Sequence, residues 1–412
     1  MKIALVIERM DPLRGGRETY TAQVAAELAR RGHCVCIVCQ DGQWDAAGVE
    51  VVRLGRPGLT RCGRMRRFLR NAGQFLASRE FDVTHTMLAV PGVDIYHPHG
   101  GTVPSSSAAH VRRRSGLVRT LYAAVGWMNL GRLLRASLER RIVADKGTVC
   151  LCVSELIARQ FERDYARREN VRVIFNGVAG MAPDAQRRIA WRREVRSSIG
   201  AAEDETLFIV VATNFELKGV AETIRAFAKW QWSAGKRGED AASTRARLAV
   251  VGRESVGAYR RLADDLGVTD CVHFEPPTRD IHRWYAAADA MILLTWYDPC
   301  SLVVLEAVRW RLPPLTTAFN GAADALSGGA GIVVSSPDDM PAAVAALEEL
   351  ADPLRRRKRA EACAAVEGRL TLERHVDELL KLYEEVSAKK KRKGSTVERS
   401  SSNVQVRPGE SC

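Results

Sequence analysis

Two carboxylates, Asp298 and Glu306, stand in the stretch TWYDPCSLVVLEAVRWRLPPLTTAFNGAAD, residues 295–324. The stretch reads as strand end, loop, helix start, tight exit, second strand and glycine turn. Pro299, Cys300 and Ser301, with Leu302 and Val303 after them, sit where the first amides of a helix would have no partner within the helix. Those amides, at the positive end of the helix dipole, suit a phosphate, and carboxylates beside them suit the hydroxyls of a sugar. Lys218-Gly219, after Asn214 and at the head of another helix, offers a charge and a close backbone approach for a second phosphate contact. Gly15-Gly16 and Gly252 follow strands and also admit a ligand close to the backbone. The G-x-G-x-x-G dinucleotide fingerprint is absent. His97-Pro98-His99 also follows a strand, at the edge where open α/β sheets bind ligands. An imidazole there titrates near neutrality and is a general-base candidate.

These residues need a scaffold of strands and helices. A chain of 412 residues with 46% apolar and 27% charged residues has the length and composition of about two globular domains. Lys2–Glu8, the Gly15-Gly16 loop, a helical pattern over Glu18–Arg31 and Cys34–Cys39 form one βαβ unit, which predicts a parallel sheet. Leu207–Ala212, the Asn214–Gly219 loop and a helix from Val220 repeat that logic. The expected fold is α/β, with two Rossmann-like parallel-sheet domains facing across a cleft. The boundaries expected are 1–180 for the acceptor side and 181–369 for the donor side. A helix over 370–388 is expected to pack back toward the first domain, with a disordered basic tail at 389–412.

The net charge of +13 favours anionic partners. No nucleic-acid motif accompanies it, and nucleic acid is not an expected partner. Residues 108–146 combine arginines with apolar residues at helical spacing and include Trp127. This is the composition of a helix on an anionic membrane surface, drawn there by Arg112, Arg113 and Arg114. A helix packed between domains is the alternative. Cys36-x-x-Cys39 has no second pair at ligand spacing, so it reads as buried, reduced cysteine in a strand. The N-terminus lacks a signal-peptide pattern and no run is long enough to span a membrane. The expected location is cytoplasmic, in part on the inner face of the cytoplasmic membrane.

In this order, the Gly15-Gly16 loop, Asp82-Val83-Thr84-His85, Asn176-Gly177-Val178, Lys218-Gly219, Gly252, YDPCSLVVLEA, LPPLTT and NGAAD resemble the retaining family 4 glycosyltransferases of GT-B fold. Within that family the chain is most similar to the lipopolysaccharide-core glucosyltransferase I type. The resemblance implies transfer of a hexose from a nucleotide-diphosphate sugar, UDP-glucose by preference, to a glycan or glycolipid acceptor, without a metal or other cofactor. It implies that Glu306 binds the ribose hydroxyls and Asp298 the donor sugar. Lys218, with Gly16 and the amides near Ser301 and Leu302, would neutralise the diphosphate, and His99 would position the sugar. Three departures stand out. Asp298 replaces a glutamate. Glu216 and Leu217 stand where an arginine is usual, with Arg17 or Arg253 as candidate substitutes. Gly100 stands where the glucosyltransferase type has an aspartate. A non-catalytic sugar-nucleotide or glycan binder and a sugar-nucleotide epimerase are the alternative readings.

Overall fold

The computed structural model describes residues 1–402 apart from 13, 115, 117–119, 121–128, 181–183, 237–244 and 279. Among these, strands β1 (Lys2–Val6), β3 (Cys34–Cys39), β5 (Val49–Arg53), β6 (Val83–Thr86), β7 (Ile95–Tyr96), β8 (Val149–Cys152) and β9 (Val171–Val173) form one sheet. Its order is β5-β3-β1-β6-β7-β8-β9. The two-residue strands β2 (Arg9–Met10) and β4 (Asp41–Gly42) pair beside it. The second sheet has the order β12-β11-β10-β13-β14-β15. Its strands are β10 (Thr206–Ala212), β11 (Ala246–Gly252), β12 (Val272–Glu275), β13 (Ala290–Leu293), β14 (Pro314–Thr317) and β15 (Ile332–Val334). Every pairing in both sheets is parallel. Runs such as CVCIVC and TLFIVVA are apolar on both faces because helices cover both sides of a parallel sheet.

Helices supply that cover through apolar stripes. The helix Gly16–Arg30 buries Tyr20, Val24, Ala25 and Leu28. The helix Leu302–Arg309 buries Val304, Leu305, Ala307 and Val308. The helix Leu372–Ser402 returns from the second half to the first, where Leu372, Val376, Leu379, Leu382 and Tyr383 share a core with Ile3, Leu5 and Val35. It enters at a tight crossing, where a Cβ on Gly177 would lie 2.2 Å from the Thr371 carbonyl oxygen.

Three expectations need correction. The last helix runs to Ser402 instead of ending near 388, and Lys390 Nζ donates to the Phe81 carbonyl at 3.1 Å. The disorder expected from 389 therefore does not hold for 389–402; residues 403–412 lie outside the described residues. Residues 108–146 are not one amphipathic helix. They contain the end of the helix Val103–Arg112 and the helix Leu130–Ala144, and Trp127 lies outside the described residues. Arg112 and Arg113 face the second half of the molecule: the Arg112 guanidinium stacks on Phe319 at 4.2 Å and Arg113 pairs with Glu216. Cys36 and Cys39 are buried thiols as expected; Cys150 and Cys152 are buried as well, and Cys34 is exposed. Among the described residues no helix is long and apolar enough to cross a membrane.

Candidate active site

The loop between β13 and the helix Leu302–Arg309 is held by its neighbours' backbone. Trp296 N–H donates to Leu217 O at 2.9 Å and Asp298 N–H to Phe319 O at 3.0 Å. Asn320 is the hub. Its Oδ1 accepts from Ser301 N–H at 3.2 Å and Ala322 N–H at 3.0 Å, and its Nδ2 donates to Thr316 Oγ1 at 3.0 Å. The Ser301 side chain does not cap the helix. Leu305 N–H is the first to bond within it, to Ser301 O at 3.3 Å. The amides of Leu302, Val303 and Val304 are thus the orphan donors that a helix start presents to an anion.

The neighbouring loop aims Lys218 at this segment. Asn214 accepts from Leu217 N–H through its side chain at 2.8 Å and from Lys218 N–H through its carbonyl at 2.9 Å. Gly219 has φ +68°, and a Cβ there would lie 1.7 Å from Leu294 O. Only glycine allows this turn. Lys218 Nζ meets Asp298 Oδ2 in an ion pair with both side chains largely buried. Thus Asn214, Lys218, Asp298, Ser301, Leu302 and Val303 converge at one helix start. Gly252 has a packing role of its own: a Cβ would lie 2.0 Å from Ala212 O and 2.4 Å from the Phe215 ring.

Glu306 lies one turn further along the helix. Tyr285 Oη donates to its Oε2 at 2.7 Å. Burial pushes the Glu306 carboxyl up to about 7, against the opposing pull of the tyrosine hydrogen bond. Nothing in the spacing of WYAAADA marks Tyr285 as this partner. The Glu216 carboxylate is taken up by Arg113, at 2.9 Å, from the other half of the chain.

Gly16 faces the helix Leu302–Arg309 from the first half, where its Cβ would lie 3.4 Å from Leu302 Cδ1. Gly15 is fully extended as the residue preceding its own helix. The His99 ring packs against Tyr20 and His97, each with centroids 4.2 Å away, and its Nε2 is buried without a protein hydrogen bond. His97 is wholly buried and meets His85 at 3.0 Å. His85 in turn meets Tyr383 Oη at 2.6 Å. Burial drives His97 and His99 well below the usual imidazole value. This corrects the expectation of an imidazole titrating near neutrality: desolvation penalises the cation, so His99 is a neutral hydrogen-bonding group with little strength as a base.

The halves touch directly beside the site. Ser154 Oγ donates to Pro299 O at 2.6 Å, Tyr297 Oη to Gln160 Oε1 at 2.8 Å, and Glu155 N–H to Asp324 Oδ2 at 3.2 Å. Gly101, at φ +70°, has Tyr297 Oη 1.8 Å from where its Cβ would stand. Among the described residues no group of three or more His, Cys, Asp or Glu is arranged to hold a metal ion.

Comparison with known proteins agrees with this architecture. Residues 14–179 match the family described as Glycosyltransferase Family 4, and residues 205–352 match Glycosyl transferases group 1. The chain is 25% identical over 343 residues to the lipopolysaccharide glucosyltransferase WaaG of Escherichia coli, covering 82% of this chain and 86% of that protein. The crystal structure of WaaG superposes with TM-score 0.76 at 22% identity, over 92% of this chain and 99% of that one. Anabaena Alr3699/HepE, solved with UDP and glucose, superposes with TM-score 0.69 at 16% identity, over 93% and 99%.

Proposed function

The chain belongs to glycosyltransferase family 4, and we propose from this that it transfers glucose from UDP-glucose, with retention, to a hydroxyl of an envelope glycan or lipid-linked acceptor such as lipopolysaccharide core. It is a hexosyl-transferring glycosyltransferase of GT-B fold, and sugar from a nucleotide sugar is what it moves. The observation that carries the finer reading is the meeting of Lys218 and Asp298 at the uncapped start of the helix Leu302–Arg309, with Gly16 opposite. UDP-glucose as donor draws on the similarity to the glucosyltransferase WaaG and on the UDP and glucose bound to HepE.

In this reading residues 181–369 hold the donor and residues 1–180 the acceptor. Glu306 accepts from the ribose hydroxyls. The diphosphate takes Lys218 from Asp298 and lies against the amides of Leu302 and Val303; Asp298 is then free to accept from the sugar hydroxyls. The acceptor oxygen bonds to the anomeric carbon as the bond from that carbon to the diphosphate oxygen breaks. The acceptor proton passes to the departing diphosphate, whose charge Lys218 and the helix start stabilise. His99 positions a sugar hydroxyl. A lipid-linked acceptor is supported by Leu130 and Leu133, 74% and 48% exposed on the helix Leu130–Ala144. This helix is the part of residues 108–146 suited to an anionic membrane surface.

The test is nucleotide release from a panel of UDP-, GDP- and ADP-sugars, with and without membrane extract. UDP-glucose should be consumed in an acceptor-dependent way, and Glu306→Ala should abolish the dependence. Consumption of another donor alone removes the glucose assignment.

A further inference from the structure

The His99 ring owes its place to two neighbours. It packs on the Tyr20 ring and on the His97 ring, with 4.2 Å between centroids in each case. No protein group bonds its Nε2. Ring contacts of this kind hold an imidazole only as firmly as the neighbours are themselves held. Both neighbours are tied by hydrogen bonds to one element, the helix Leu372–Ser402.

Tyr20 is tied through His375. The His375 Nδ1 lies 2.9 Å from the Phe175 carbonyl. A carbonyl only accepts, so Nδ1 carries the proton and Nε2 is the acceptor. Tyr20 Oη therefore donates to His375 Nε2, at 2.7 Å. His97 is tied through His85, at 3.0 Å, and His85 through Tyr383, at 2.6 Å. All of these groups are buried. Burial drives His85 and His375 down to about 3 and His97 well below its usual value. Each ring is thus neutral, with one donor and one acceptor. The more complete arrangement runs outward from the helix: Tyr383 Oη donates to His85 Nδ1, and His85 Nε2 to His97 Nδ1. It leaves only the His97 Nε2 proton unused. The reverse sense strands the Tyr383 proton and a His97 lone pair together, and stranded buried groups are costly.

His375 and Tyr383 lie about two turns apart and share one face of the helix. Its entry is pinned where Val178 N–H donates to Leu370 O at 2.9 Å and Leu372 N–H to Val178 O at 3.2 Å. We propose that His375 and Tyr383 are positioning residues for sugar transfer. Acting through Tyr20 and through His85 and His97, they set where the His99 ring stands and how it is turned. The last helix, none of whose residues is assigned to donor or acceptor, thereby governs the transfer step. The proposal rests on the reading of His99 as a contact of the donor sugar.

The test is a double-mutant cycle with UDP-glucose and membrane extract, read as kcat and KM separately, together with the ¹⁵N shifts of the His99 imidazole. Tyr383→Phe keeps the ring and removes only the hydroxyl. It should lower kcat about tenfold, since small displacements of a positioning group are felt in rate, and leave KM and UDP affinity within about twofold. His375→Ala should act likewise, and His375→Gln, which restores an acceptor near Nε2, should recover part of the loss. In a His99→Ala background Tyr383→Phe should change kcat less than twofold, because it acts only through the missing ring. The His99 ring shifts should move in Tyr383→Phe. The proposal is overturned if kcat or the ring shifts stay as in wild type, or if the tenfold loss persists without His99, the mark of a general loosening of the fold. A His99→Ala enzyme of full activity would instead remove the sugar contact assigned to His99, and the ring shifts would then decide whether the helix places that ring.

Discussion

Lys218 and Asp298 neutralise each other in this structure, which makes the lysine available to a stronger anion. Lys218→Ala should lower kcat/KM by a factor of about 10²–10³, the scale for losing one donor to developing charge. Steady-state rates with UDP-glucose check this, and an unchanged rate refutes the assignment. Glu306 carries a pH signature. Its carboxyl keeps its proton up to about 7, against an ordinary value of 4.5. A carboxylate accepts from ribose hydroxyls more strongly than a carboxylic acid does. Affinity for UDP should therefore rise as the pH climbs through about 7 and then level off. Between 4.5 and about 7 the folded state holds a proton that the unfolded chain has released, so stability falls as pH rises across that window. Glu306→Gln should flatten both profiles, measured by UDP titration and by denaturant melts.

At the scale of the element, the Asn214–Gly219 loop is the part least tolerant of change. Gly219→Ala places a methyl group on the Leu294 carbonyl at a positive φ. It should cost about 2–4 kcal/mol of stability, read by urea denaturation, and it should displace Lys218. Elements of this kind were legible in the sequence because they are local. The aliphatic run before Thr295, the helical stripe of LVVLEAVR and the glycine at the turn each show their cause within a few residues. The helix start read at Pro299–Ser301 falls a little further on, at Leu302 with Ser301 preceding it. The partners were not legible. Tyr285 and Glu306 are joined by the packing of separate helices, and Arg113 and Glu216 by the approach of the two halves. No spacing rule records such meetings. Arg112 and Arg113 were not placed for the same reason: an arginine-rich helical pattern looks the same whether it faces lipid or the second half of the chain. The end of the last helix was missed because a run of lysines lacks the apolar stripe that marks a helix, yet it continues one already anchored by Tyr383.

Across the whole molecule, the cleft is bridged by a few polar contacts at Tyr297, Ser154 and Glu155. Each net hydrogen bond of this sort contributes about 1 kcal/mol. A Tyr297→Phe/Ser154→Ala variant should keep its fold, open more readily and show a larger radius of gyration by small-angle scattering. An unchanged radius would mean that the contacts left in place, Arg113 with Glu216 and Arg112 on Phe319 among them, set the closure. A further link between the halves is of a different kind. The helix Leu372–Ser402 supplies Tyr383 to His85, and His375 to Tyr20 at 2.7 Å, inside the first half. Two buried polar groups near the start of the chain thus find their partners more than 290 positions later. On the ribosome, where the N-terminal part emerges first, the first sheet must wait with an apolar seam and two unsatisfied rings uncovered. It stays so while the whole second domain is synthesised. A chain truncated before Leu372 should therefore leave that seam uncovered and the first half less stable.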